Sequence, residues 1–301
     1  MEVTSGALRV ELPYHPPFDW SSLIAFFGSR ATRGVEAVVD GRYVRTLAID
    51  DSTGWLAVGL SNRSGACLDV DVSASLAPVG DDVAAGTKRA FDLAADPSTI
   101  ASALGELAAA NPGLRVPGAY DGFEIAIRAI LGQQVSVKGA STLAGRFAEA
   151  FGDPIETPFP ELSRLSPSAS RVAVIDVGEI ARIGMPGARA ASILALARAV
   201  RDGAVSLDHC ADPRQTISAL TALPGIGDWT AQYIAMRALG WPDAFPASDL
   251  GVRKALGGIG AGEAAARAEA WRPWRSYAVM HLWSSLAIDP SQPVAAGGPA
   301  R

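Results

Sequence analysis

The residues best suited to chemistry are a short glycine-bearing turn and an aspartate that follows it. Leu223-Pro224-Gly225-Ile226-Gly227-Asp228-Trp229-Thr230-Ala231 joins a helical pattern ending at Ala222 to another that begins at once. Two glycines two apart permit a tight hairpin with positive φ. A helix starting directly behind it leaves its first backbone N–H groups without intrahelical partners. Those donors, aligned with the helix dipole, can bind a phosphate without basic side chains. An ordinary helix–helix turn has the same spacing, so spacing alone leaves both readings open. Further on, in Phe245-Pro246-Ala247-Ser248-Asp249-Leu250, Asp249 precedes a new helical run. Taken alone it is an N-cap. Its functional alternative is a carboxylate whose negative charge the helix dipole favours.

Other residues carry weaker signals. Trp229 and Tyr233 stand four apart and share one helix face, while Trp283 lies on the last helix. On composition alone such aromatics are core packing. Gln133 and Gln134 interrupt a helical pattern after Leu131-Gly132, as a solvated kink or as a loop that meets a partner. His15, His209 and His281 lack metal-ligand spacing.

The elements that position these residues change character near residue 90. Before it, β-prone runs 34–39 and 42–47 flank Asp40-Gly41, a hairpin signal. Runs 55–60 and 68–74 add strands, the latter with Asp69, Asp71 and Ser73 on a wet face. Asp19 caps a short helix over 18–27. After residue 97 the pattern is helical throughout, with no convincing strand. Helices are expected over 98–110, from Asp121 to Leu131, over 137–151, 178–184, 187–202 and 213–222, and then over 228–239, 250–256, 262–271 and 274–286. Residues 291–301 read as a flexible tail.

Composition narrows the class. The 301 residues are 49% apolar and 19% charged, which excludes wholesale disorder. Two cysteines, Cys67 and Cys210, cannot build a disulfide framework, a four-thiolate zinc site or an iron–sulfur cluster. They read as reduced thiols of a cytoplasmic protein. No apolar run approaches the ~20 residues of a membrane span, and the first residues lack a signal-peptide pattern. Residues 1–97 hold 8 basic and 13 acidic side chains, whereas 98–301 hold 18 of each. The acidic excess therefore sits in the first third, and a pI near 5.3 argues mildly against a nucleic-acid partner.

The run LPGIGDWTAQYIAMRALGWPDAFPASD resembles the helix–hairpin–helix and catalytic aspartate of the base-excision DNA glycosylase superfamily. With YHPPFDWSSLIAFF, LRVPGAYDGFEIAIRAILGQQVSV and WRPWRSYAVMHLW, the chain is similar over residues 14–290 to the bacterial 3-methyladenine DNA glycosylase II family (AlkA type). The resemblance implies an α+β N-terminal domain with an antiparallel sheet, residues 1–90, followed by a mostly α-helical, two-lobed region. One lobe comprises 122–240 and ends in the hairpin. The other comprises 91–121 with 241–290 and carries Asp249.

The resemblance also implies function. Asp249 would stabilise an oxocarbenium-like sugar and orient water. Trp229, Tyr233, Trp283 and Phe26 would line a pocket for a flipped, alkylated base in double-stranded DNA. Gln133 and Gln134 would enter the stack, with Gln134 standing where well-known members carry leucine. Amides of Gly225, Gly227 and Thr230 would hold a phosphate, with Arg253, Lys254, Arg272 and Arg275 as electrostatic support. Carbonyls of Thr221, Leu223 and Gly225 would bind Na⁺ or K⁺, and no cofactor is required. Trp229 fills the position where strand-nicking relatives carry a lysine, so a monofunctional hydrolase acting as a monomer is expected. Leu250 and Ser284 replace tyrosines and leave the range of lesions open. The rival readings are a non-catalytic DNA-binding protein and a glycosylase for hypoxanthine or mispaired adenine.

Overall fold

A computed structural model describes residues 2–4, 7–63, 65–286 and 293–294. Its first part is a six-stranded antiparallel sheet of β1 (Glu2–Thr4), β2 (Ala7–Pro13), β3 (Glu36–Val39), β4 (Arg42–Ile49), β5 (Ser52–Leu60) and β6 (Cys67–Ser73), in the order β1-β2-β6-β5-β4-β3. Asp40 and Gly41 both take positive φ (49° and 72°), which fits the tight turn between β3 and β4. The alternation along β6 holds as far as Val72: Leu68, Val70 and Val72 are buried, while Asp71 bonds Arg9 and Arg42; Ser73, expected on the wet face, is buried instead, its hydroxyl accepting the Trp55 N–H.

Two helices, α1 (Trp20–Arg30) and α2 (Gly80–Ala90), supply Leu23, Phe27 and Val83 to the sheet's core. Asp19 caps α1 by accepting the Ser22 N–H, as its position predicted, but α1 runs on to Arg30. α2 and the first two strands had no clear sequence signal. α1 packs on β3 and β4 and also on α6 (Val137–Phe151), so it lies between sheet and helical region.

The helical region contains α3 (Pro97–Leu104), α4 (Glu106–Ala109), α5 (Gly122–Leu131), α6, α7 (Ala169–Val172), α8 (Val177–Ala181), α9 (Gly187–Arg201), α10 (Pro213–Thr221), α11 (Asp228–Arg237), α12 (Leu250–Ala255), α13 (Ala261–Ala268) and α14 (Arg275–Ser285). The single helix expected over 98–110 is split, because Gly105 adopts φ 56° and stops α3. The expectation of no strand after residue 97 also fails. Val135–Ser136 pair with Pro293–Val294 in a two-residue antiparallel ladder. The rest of the expected tail lies outside the described residues. One continuous apolar core runs through the helical region, from Ile100 on α3 to Leu282 on α14. Among the described residues no helix is long and apolar enough to cross a membrane.

Two buried polar contacts fasten the sheet domain to this region. Arg45 on β4 donates to Glu124 on α5 at 2.7 Å, both nearly dry. Asp92, just past α2, accepts from Tyr277 of α14 at 2.8 Å and from the Val116 N–H at 3.3 Å. Burial pushes the Asp92 carboxyl up to about 6, although those bonds pull the other way. The unfolded chain releases this proton near pH 3.9. Asp92's contribution to stability is therefore full below that pH, falls as pH rises towards 6, and stays lost above it. Relative to wild type, Asp92→Asn should gain about 2–3 kcal/mol of stability between pH 4 and pH 7. Urea unfolding across that range checks it; a pH-independent difference would contradict the burial argument.

Candidate active site

Asp249 is the N-cap of α12, where its Oδ1 accepts the Val252 N–H at 2.8 Å. Capping accounts for only part of its bonding. The indole N–H of Trp283 donates to Oδ1 at 2.9 Å, and that of Trp229 donates to Oδ2 at 2.8 Å. The carboxylate is 3% exposed, so water satisfies almost none of it. N–H bonds to a buried carboxylate are charge-assisted and of the stronger kind. A residue used only as a cap needs neither tryptophan.

The neighbouring elements hold this arrangement. α11 carries Trp229 and Tyr233, whose rings stack at 5.5 Å; Tyr233 lies 6.4 Å from Trp283, which α14 carries. The loop between α11 and α12 is pinned at both ends. Gln232 Oε1 accepts the Phe245 N–H at 3.1 Å, and the Ser276 hydroxyl donates to the Trp241 carbonyl at 2.7 Å. Arg275 bonds Asp243 at 2.7 Å, and Arg272 also bonds Asp243. Arg272 and Arg275, expected as electrostatic support, are thus spent on internal carboxylates, because their helix end faces Asp243 and Glu269.

Gly251 permits the approach of Trp283 to Asp249. A Cβ there would lie 3.1 Å from both Asp249 Oδ1 and Trp283 Cδ1. The sequence offered a hint, since a glycine inside a helical pattern costs about 1 kcal/mol against alanine and calls for a reason.

A cavity of about 330 Å³ adjoins the cluster, within the range of ligand sites. Phe26, Arg30, Trp283, Ser284 and Met280 are among its lining residues. Trp229, Tyr233 and Asp249 stand behind that wall rather than in it. Phe26 is not a free stacking face either: the guanidiniums of Arg30 and Arg237 lie 3.9 and 4.6 Å from its ring centre. These two arginines were not anticipated, because only the fold brings residues 30 and 237 to one ring.

The turn from Thr221 to Asp228 forms the expected hairpin, but only Gly225 takes positive φ, at 77°. A Cβ there would also meet the Ser192 hydroxyl at 2.1 Å. Gly227 is instead the extended N-cap of α11, with φ −90°. The amides of Gly225, Gly227 and Thr230 have no acceptor among the described residues. Gln133 ties its own loop to this hairpin, its Nε2 donating to the Gly225 carbonyl and the Thr230 hydroxyl, both at 3.0 Å. Gln134 is exposed with φ 58°, an uncommon conformation for a side-chain-bearing residue.

Residues 127–276 match the family described as HhH-GPD superfamily base excision DNA repair protein, and residues 9–121 match the AlkA N-terminal domain. DNA-3-methyladenine glycosylase 2 of Escherichia coli (strain K12) is 37% identical over 281 residues, covering 93% of this chain and 99% of that protein. The chain belongs to the AlkA family of helix–hairpin–helix base-excision repair proteins. It is also 40% identical to Probable bifunctional transcriptional activator/DNA repair enzyme AlkA of Mycobacterium tuberculosis (strain ATCC 25618 / H37Rv), spanning 94% of this chain and 58% of that longer protein. The 3-methyladenine DNA glycosylase structure from Archaeoglobus fulgidus shares the fold, with a TM-score of 0.76 and 21% identity over 92% of this chain and 97% of that one.

The hairpin carbonyls expected to hold a cation are partly engaged in this AlkA-family chain. Gly225 O accepts from Gln133, and Leu223 O accepts the Ile226 N–H at 3.3 Å. Each of these two carbonyls keeps a second lone pair, and no step is assigned to an ion.

Gly251→Ala tests the packing at Asp249. Alanine gains about 1 kcal/mol of helix propensity, yet its methyl group must displace Trp283. The expected outcome is a folded protein whose Trp283 indole N–H resonance moves in a ¹⁵N–¹H spectrum. An unmoved resonance would contradict the close approach.

Proposed function

We propose that this protein hydrolyses the N-glycosidic bond of alkylated bases in duplex DNA, leaving an abasic site and an uncut strand. The observation that carries this reading is the Asp249 carboxylate, buried, gripped by two indole N–H groups and one backbone N–H, and set beside a 330 Å³ cavity. A pure DNA binder has no use for such a group, which would repel the phosphates.

The chemistry follows from charge. A 3-alkyladenine or 7-alkylguanine is cationic, so its bond to the sugar is weakened and it leaves as a neutral base. Little acid catalysis is needed. The protein has to extract the base, at a cost of a few kcal/mol that is smaller at damaged pairs, and to stabilise the sugar cation. Asp249 supplies the opposing charge. Three N–H donors occupy three of its roughly four acceptor sites, and the remaining one, on Oδ2, orients the attacking water. Trp283 and Phe26 border the cavity that takes the base, while Trp229 and Tyr233 hold Trp283 and Asp249 in place.

Binding uses the backbone more than the side chains. The unpaired amides at Gly225, Gly227 and Thr230 fit a phosphate. Gln134, exposed on a strained turn that Gln133 latches to the hairpin, enters the gap left by the base, where its amide can bond the orphaned partner. Arg253 and Lys254 add charge near this surface. Strand cleavage would need an amine to form a Schiff base. Trp229 occupies the position that would supply it, and none of the chain's three lysines lines the cavity. We place the activity with chromosomal DNA in the cytoplasm, acting as a monomer.

Base release from methylated duplex DNA tests this. Wild type should free 3-methyladenine and 7-methylguanine, with nicks appearing only after alkali. Asp249→Asn should retain DNA affinity and lose on the order of 10²–10³-fold in rate. Nicks without alkali would overturn the monofunctional reading, and undiminished release by the variant would remove Asp249 from the chemistry.

A further inference from the structure

A second, smaller cavity lies between α1, the β3–β4 hairpin, α5 and α11. Its volume is about 20 Å³. One water needs about 10–15 Å³, so this space takes a single water-sized species and no polyatomic anion such as phosphate. Its lining is charged. Four guanidiniums border it, those of Arg30, Arg45, Arg128 and Arg237, against three carboxyls, those of Glu36, Asp121 and Glu124. Among the described residues only Arg45 and Glu124 form an ion pair here, at 2.7 Å. Glu36 accepts from the Tyr43 hydroxyl and the Thr32 N–H, and Asp121 accepts the Phe123 and Glu124 N–H groups at the start of α5. Burial pushes both carboxyls up, and repulsion from Glu124 adds to it. Arginine keeps its proton, so positive charge around the cavity exceeds negative by at least one.

Arg128 is the least satisfied of the four. It is 9% exposed; its Nη2 donates to the Ser141 hydroxyl at 2.8 Å, while its Nη1 is buried with no partner. Arg237 donates only to neutral oxygens: Tyr233 Oη at 2.9 Å, the Gly118 carbonyl at 3.3 Å and the Pro117 carbonyl. Arg30 donates to the adjacent Ser29 hydroxyl at 3.1 Å. Burial pulls the Arg128 guanidinium below its ordinary value; Glu36 and Tyr233 oppose this, and the like charge of Arg237 adds to it. An unmade hydrogen bond on a buried charged group is costly, and an uncompensated buried charge more so. A water in the cavity would satisfy the donor and leave the charge. A monatomic anion satisfies both.

We propose that this cavity binds one monatomic anion such as chloride, accepting from Arg128 Nη1 and serving as counter-ion to the guanidiniums beside it. The anion ties α5 to α1 and α11, whose arginines otherwise repel one another. Its affinity comes from charge in a dry setting, where Coulomb attraction is screened least. Asp249 does not line this cavity, so anion binding is separate from the proposed hydrolysis.

Bromide takes the place of chloride at such sites and scatters anomalously. Wild-type crystals grown in acetate salts, with bromide as the only halide, should show an anomalous peak in the cavity within hydrogen-bond distance of Arg128 Nη1, and the peak should persist at millimolar bromide. Peaks on the surface alone, or in the cavity at molar bromide alone, would mean an adventitious ion only and overturn the proposal. In solution the wild-type Tm should rise by about 2–4 °C for each tenfold increase in chloride at constant ionic strength. Arg128→Met, which keeps the bulk of the side chain without its charge, should lose that rise. A variant that keeps the full rise would contradict the site. So would a wild-type Tm indifferent to chloride; a phenolate absorption band at neutral pH, removed by Tyr233→Phe, would then assign the counter-charge to Tyr233.

Discussion

Asp249 is held out of bulk solvent, so its hydrogen bonds have to come from the protein. A buried carboxylate lacking partners would cost several kcal/mol, and here three donors converge on it from three separate elements. Val252 donates from its own helix α12, Trp229 from α11 and Trp283 from α14. Satisfying this one charge fixes the relative placement of all three helices. The loop contacts of Gln232, Ser276 and Arg275 and the absence of a side chain at Gly251 serve the same convergence.

The distribution of positive charge explains how an acidic protein suits an anionic polymer. Arg272 and Arg275 are neutralised by Asp243 and Glu269. Arg45 is neutralised by Glu124. Three arginines without an ion-paired acid among the described residues, Arg30, Arg128 and Arg237, lie inside around Phe26 and Tyr233. Burial alone would push the Tyr233 phenol up, yet these three cations hold it below its ordinary value. The hairpin amides of Gly225, Gly227 and Thr230 have no acceptor among the described residues.

Local signals were legible where local physics decides. The Asp40-Gly41 turn, the Asp19 and Asp121 caps, the alternation along β6 and the hairpin at Gly225 all follow from residue type and spacing. Membership of the AlkA family was legible from several motifs in a fixed order. Three features were not. Residues 98–110 read as one continuous helix, and only the positive φ of Gly105 in the fold reveals the break. Trp229 and Trp283 are 54 positions apart in the chain, and nothing in their spacing says that both bond one carboxylate. The arginine cluster draws on residues 30, 128 and 237, whose meeting depends on α1 packing between the sheet and α6. Tertiary convergence of this kind leaves no local periodicity to read.

In the proposed reaction Asp249 complements positive charge on the sugar. Transition-state-like ligands bind 10²-fold or more tighter than ground-state ones when an enzyme works this way. The direct measurement compares the affinity of wild type and Asp249→Asn for two duplexes, one with a protonated pyrrolidine in place of the damaged sugar and one with neutral tetrahydrofuran there. Wild type should prefer the pyrrolidine by about 10²-fold, and the variant should lose this preference while binding the tetrahydrofuran duplex as wild type does. An equal preference in both proteins would contradict it.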